Sequence, residues 1–151
     1  MRYLLDTNVF REIGKTEPHR NVDAWLKGVN DADLAISTLT VREVTKGIGR
    51  LRARKPEVAQ AIAARVDLAF EAFGDRILPV DRAVAALWGE LLADSEKHVD
   101  DTGIAATARV HGLVLVTRNT ADMIGRGATT LDPFRSPTQS AAARAQSEQH
   151  G

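Results

Sequence analysis

Short apolar runs alternate along the chain with longer stretches in which apolar side chains recur every three or four residues. Arg2 to Leu5, Ala32 to Ile36, Ile77 to Val80 and Leu113 to Val116 are brief, apolar and followed by turn or capping residues, as buried strands are. Ala128 to Leu131 reads as one more strand at a sheet edge. Between these runs, Val22, Trp25, Leu26 and Val29 share one helical face, and Val41, Val44, Ile48 and Leu51 share another. Pro56 fits the first turn of a helix that carries Val58, Ile62, Val66 and Phe70 and stops at Gly74. Asp81 is placed to cap a helix with Val84, Leu87, Trp88, Leu91 and Leu92 inward, and an alanine-rich helix starts near Asp101 and ends at His111-Gly112. Strands alternating with helices predict an α/β fold with a central, mostly parallel sheet.

Composition narrows this picture without redirecting it. The 151 residues suffice for one domain and its core but not for two ordinary ones. From Ser136 the sequence turns polar and poor in large apolar side chains, which predicts a mobile tail. Cysteine is absent, so disulfides and thiolate metal sites are excluded, and a reducing compartment fits. No signal-like segment opens the chain and no apolar run approaches a membrane span, so a cytoplasmic protein is expected. Lys and Arg balance Asp and Glu at 20 each, so any nucleic-acid contact has to rest on local patches.

The candidate chemistry lies in where the acidic residues fall. In a parallel α/β sheet, helix N-termini gather at the C-terminal edge of the strands, where such folds place their sites. Asp6 ends the first strand, Glu43 enters the helix after the second, Asp101 opens the alanine-rich helix and Asp122 follows the LVLV strand. Each has a local explanation: a turn or cap at Asp6, a capping box from Thr40 to Glu43, an N-cap at Asp101, a helix first turn at Asp122. Together they crowd, and converging carboxylates repel one another, take up protons or need a cation. An oxygen-only ligand set suits Mg²⁺ or Mn²⁺, and the scattered His19, His98, His111 and His150 read as surface or structural. Carboxylates around such an ion commonly serve phosphoryl chemistry, with phosphodiester hydrolysis the natural candidate.

Four segments in order, LLDTNVF, STLTVREVTKGI, ILPVDRAVAALWGEL and DTGIAATARVHGLVLVTRNTADM, resemble the signatures of PIN domains, most closely the VapC-type toxins of bacterial toxin-antitoxin pairs. The resemblance spans Met1 to Phe134 and implies a PIN-like three-layer fold over residues 1–134, with a tail over 135–151. It implies a Mg²⁺- or Mn²⁺-dependent ribonuclease, with Asp6, Glu43 and Asp101 as site carboxylates and Asp122 as the fourth, since Asn119 cannot be an anionic ligand. Asn8, Thr117 and Asn119 are expected in support, and Arg118 as a phosphate contact. The implied reaction is in-line attack of water on RNA, leaving a 5'-phosphate and a 3'-hydroxyl. The implied partners are RNA, a cognate antitoxin, a second copy of the chain and, through the antitoxin, operator DNA. Gly103 departs from the pattern, which has a larger apolar residue after Asp101.

Two other readings remain at this point. A phosphatase with an aspartyl nucleophile also uses an Asp after its first strand, but needs a second Asp where Asn8 stands. A binding module of the same fold that has lost catalysis would act only as a co-repressor with its antitoxin.

Overall fold

Tyr3 to Leu5 form β1, the middle strand of five in a computed structural model that describes residues 1–123 and 125–136. β2 (Leu34–Ser37) and β4 (Val114–Val116) pair with β1, and β3 (Ile77–Leu78) and β5 (Thr130–Leu131) flank them, all parallel, in the order β3-β2-β1-β4-β5. Six α-helices connect the strands: α1 (Thr7–Phe10), α2 (Arg20–Lys27), α3 (Thr38–Arg52), α4 (Pro56–Phe73), α5 (Arg82–Asp94) and α6 (Val99–His111). A short 3-10 turn, Ala121–Met123, lies between β4 and β5.

Successive strand side chains point to opposite faces, and the core divides accordingly. Leu4, Ala35 and Leu115 pack with Ile104, Ala105 and Ala108 of α6. Leu5, Ile36 and Val116 pack with Phe10, Val22, Val44 and Val66 from the other helices. The sheet is therefore the middle of three layers and is apolar on both faces, as a parallel sheet between helices must be. No helix among the described residues is long and apolar enough to cross a membrane.

The structure departs from the sequence reading at several boundaries. β3 ends at Leu78, because Pro79 has no N–H to offer the ladder. Val9 and Phe10 belong to α1, a single turn absent from the predicted set. The alanine-rich helix begins at Val99 and ends at Gly112, whose positive φ of 65° supplies the left-handed cap. The tail reading lies mostly on residues 137–151, outside those described; Arg135 pairs with Asp132.

Gly103 has a packing explanation. A Cβ there would lie 2.7 Å from Leu39 Cδ1 and 2.8 Å from Trp88 Cε2, so the glycine lets α6 approach α3 and α5 closely. Trp88 covers the spot and donates its indole N–H to Val99 O at 2.8 Å, tying α5 to the first turn of α6. Gly103→Ala should lower the unfolding free energy by about 1–3 kcal/mol in urea titrations, the usual cost of overpacking. The penalty should shrink in part in a Trp88→Leu background, because the indole contacts are gone while Leu39 remains.

Candidate metal centre

β1 delivers Asp6 to the C-terminal edge of the sheet, and the Asp6 N–H donates to Val116 O at 2.9 Å, extending the ladder by one residue. That extension sets Thr117, the residue after β4, beside the carboxylate. Asp6 Oδ1 accepts from the Thr7 N–H at 2.8 Å, and Oδ2 accepts from the Thr117 hydroxyl at 2.7 Å. The Thr117 oxygen in turn accepts from the Asn119 N–H at 3.0 Å. Asn8 reaches toward Asp6 Oδ2 at 3.4 Å through its amide nitrogen, and its amide oxygen accepts from the Arg118 N–H at 3.2 Å. Asn8, Thr117, Arg118 and Asn119 thus form one frame around Asp6, which is only 3% exposed. The Arg118 side chain does something else: its guanidinium stacks 3.8 Å over the Phe134 ring.

The expected capping box at Thr40 and Glu43 is not formed. Ser37 caps α3, its hydroxyl accepting from the Leu39 N–H at 3.0 Å. Thr40 is fully buried and bonds the Thr7 hydroxyl at 3.1 Å. Glu43 consequently stands in the second turn of α3, not the first, with no part in the cap. Asp101 is in the first turn of α6 but is not its N-cap, which is His98. Asp122 lies on the 3-10 turn after β4, its N–H bonded to Asn119 O at 3.1 Å.

Charge shows which of these carboxylates share a space. Burial pushes the Asp101 pKa up, the Glu43 and Asp122 charges push it further, and His98 and Arg126 oppose them. Asp6 is also raised, mainly by burial and in part by Asp101, against the Thr117 and Thr7 hydrogen bonds. Asp6, Glu43, Asp101 and Asp122 are therefore linked through Asp101. Asp100 is not one of the crowd, because Arg42 of α3 pairs with it at 2.5 Å. The donor chemistry fits a divalent cation: carboxylate oxygens from four separate segments, two of them in surroundings that disfavour their charged form without one.

The sequence reading missed one neighbour. Ligand atoms of His98, Asp101 and Asp122 all lie within 4.8 Å of one another, and His98 Nδ1 is 3.8 Å from Asp101 Oδ2. The His-x-x-Asp spacing is visible in the chain, but His98 has a left-handed backbone, φ 52°, that no local pattern announces.

A parallel α/β sheet with carboxylates converging at the C-terminal edge of its strands defines the class of protein. The PIN-domain family model matches residues 3–123, and the chain belongs to that family. It is 32% identical over 137 residues to toxin FitB of Neisseria gonorrhoeae, covering 87% of this chain and 97% of that protein. It is 30% identical over 136 residues to the VapC ribonuclease Y4jK of Sinorhizobium fredii, covering 87% and 96%. The crystal structure of FitAcB from Neisseria gonorrhoeae superposes with a TM-score of 0.79 at 30% identity, covering 89% of this chain and 99% of that one. A toxin-antitoxin complex from Klebsiella pneumoniae is also similar in structure, at 25% identity and a TM-score of 0.67.

The raised pKa of Asp101 has a definite sign for stability. A folded-state pKa above the unfolded value means that ionisation disfavours the native state, so stability is lost as pH rises through the folded pKa. Asp101→Asn should therefore melt above the parent chain at pH 7 in EDTA. Its advantage should fade as the pH is lowered toward the ordinary carboxylate range, where the parent's Asp101 is protonated; scanning calorimetry across pH reads both.

Proposed function

We propose that the chain is a metal-dependent endoribonuclease, the toxin of a cytoplasmic toxin-antitoxin pair, hydrolysing RNA phosphodiester bonds with Mg²⁺ or Mn²⁺. The observation that carries this reading is the buried Asp6 carboxylate beside a second, Asp101, that is itself crowded by Glu43 and Asp122. Membership of the PIN family and the likeness to a VapC ribonuclease support it.

Asp6 and Asp101 would hold the cation directly, with Glu43 and Asp122 completing its shell. When bound, the ion supplies charge neutralisation at the phosphate and a more nucleophilic water. Thr7 and Thr117 fix both oxygens of Asp6, so this ligand needs no reorganisation when the ion arrives. One of the surrounding carboxylates would take the proton of the attacking water; as the new P–O bond forms the P–O3' bond would break, the 3'-oxygen leaving protonated as a hydroxyl and the phosphate staying on the 5' side. Asn8 weighs against an aspartyl-phosphatase: it stands where that chemistry needs a second acid and is spent on holding Asp6 and the Arg118 backbone.

The partner reading has its own observation. A groove of about 370 Å³ opens between α1 with the segment after it and helices α3 and α4, lined by apolar Phe10, Ile48 and Leu51 and by basic Arg11, Lys15 and Arg54. An apolar groove with basic side chains in its lining suits an amphipathic antitoxin segment carrying acidic residues. Operator DNA would be reached through that antitoxin, and a homodimer through another surface.

Purified chain free of antitoxin should cleave a panel of structured RNAs in Mg²⁺ or Mn²⁺ and not in EDTA. Asp6→Asn should lower the rate by about 100-fold or more, at or beyond the usual loss from disturbing a metal shell. Absence of cleavage throughout the panel, or an unimpaired mutant, would refute the nuclease. For the groove, Leu51→Glu should no longer co-purify with a co-expressed antitoxin while keeping the parent's circular dichroism spectrum and melting point.

A further inference from the structure

We propose, resting on the metal-dependent reading above, that His98 is a nitrogen ligand of the same ion, joining the carboxylates through its neighbours Asp101 and Asp122 and making the centre a mixed imidazole-carboxylate site. The arrangement holds more than the His98–Asp101 ion pair. His98 Nδ1 and Asp101 Oδ2 stand 3.8 Å apart, too far for a hydrogen bond, and Asp122 places a third donor within 4.8 Å of both. Ligands about 2.1 Å from an octahedral ion lie about 3 Å apart when adjacent and about 4.2 Å when opposite, so this spacing leaves room for a cation among the three.

The imidazole is also carried by a fixed corner. His98 O accepts from the Thr102 N–H at 2.9 Å and from the Thr102 hydroxyl at 2.8 Å. The Thr102 oxygen accepts from Arg126 Nε at 2.9 Å, and Arg126 follows Asp122 by four residues. The turn bearing His98 and the segment bearing Asp122 are thus tied together through the buried Thr102, independently of the imidazole and the carboxylate. Two ligands on separate segments are held at a common spacing before any ion arrives.

A borderline nitrogen donor changes metal preference more than it adds charge. Mg²⁺ is served by hard oxygens, whereas imidazole favours first-row transition ions, so His98 tilts the centre from Mg²⁺ toward Mn²⁺. Titration calorimetry with Mn²⁺ and with Mg²⁺, and electron spin-echo spectroscopy of the Mn²⁺ form, test this on untagged chain. Asn is the replacement, because it tolerates the left-handed backbone at this position. His98→Asn should weaken Mn²⁺ binding roughly tenfold or more, shift Mg²⁺ binding far less, and abolish a ¹⁴N echo modulation present in the parent. Mn²⁺ binding without nitrogen modulation in the parent, or modulation unchanged in His98→Asn, overturns the proposal and leaves the nuclease standing. A parent chain that binds Mg²⁺ but no Mn²⁺ overturns the ligand proposal alone, and one that binds neither ion overturns both.

Discussion

A carboxylate held almost out of water at the end of the central strand is the constraint on which this structure turns. Removing the Asp6 charge from solvent costs several kcal/mol unless other groups replace the lost hydration. The Thr7 N–H and the Thr117 hydroxyl supply part of that replacement, and both depend on the sheet. Thr117 stands beside Asp6 only because β4 runs parallel to β1 with Leu5 opposite Val116. Even so, burial still outweighs these bonds, and the pKa remains raised. The native fold thus disfavours the charged form of Asp6 on its own, and a cation bound there would offset that cost.

The helical layers set where the other charges stand. Gly103 lets Trp88 and Leu39 close against α6, and the indole N–H on Val99 O fixes the first turn, where Asp101 sits two residues further on. Arg42 pairs with Asp100 and leaves its neighbour Asp101 to face Glu43 and Asp122. Core packing and site electrostatics are therefore coupled through α6. A change buried among Trp88, Leu39 and Gly103 would move the Asp101 carboxylate without touching it.

Much of this was legible in the chain because the signals are periodic. Brief apolar runs marked the strands, three- and four-residue spacing marked the helices, and their order placed four acids at one edge of the predicted sheet. What remained hidden was set by tertiary competition. Ser37 and Thr40 are both good caps on paper, and Thr40 loses the role because its hydroxyl is drawn into a buried bond with Thr7 from a segment 33 residues away. With it goes the capping box, and Glu43 moves up one turn. His98, read as surface or structural, is exposed, but its closeness to Asp101 and Asp122 could not be read from the chain, because it comes from a left-handed corner and a distant turn.

Charge also orders the events that such a site can support. Fully ionised, Asp6, Glu43, Asp101 and Asp122 carry four negative charges toward which an RNA phosphate would bring a fifth. One divalent ion leaves that sum negative, so the balance has to come from further cations or from arginines at the rim. Arg126 is the arginine whose charge opposes the raised pKa of Asp101, while Arg42 is engaged with Asp100 and the Arg118 guanidinium rests on Phe134. With a net charge of zero, the chain supplies no global field to draw RNA in. In the proposed nuclease, metal binding would therefore precede or accompany substrate binding, because without an ion four carboxylates at this edge would repel an RNA phosphate.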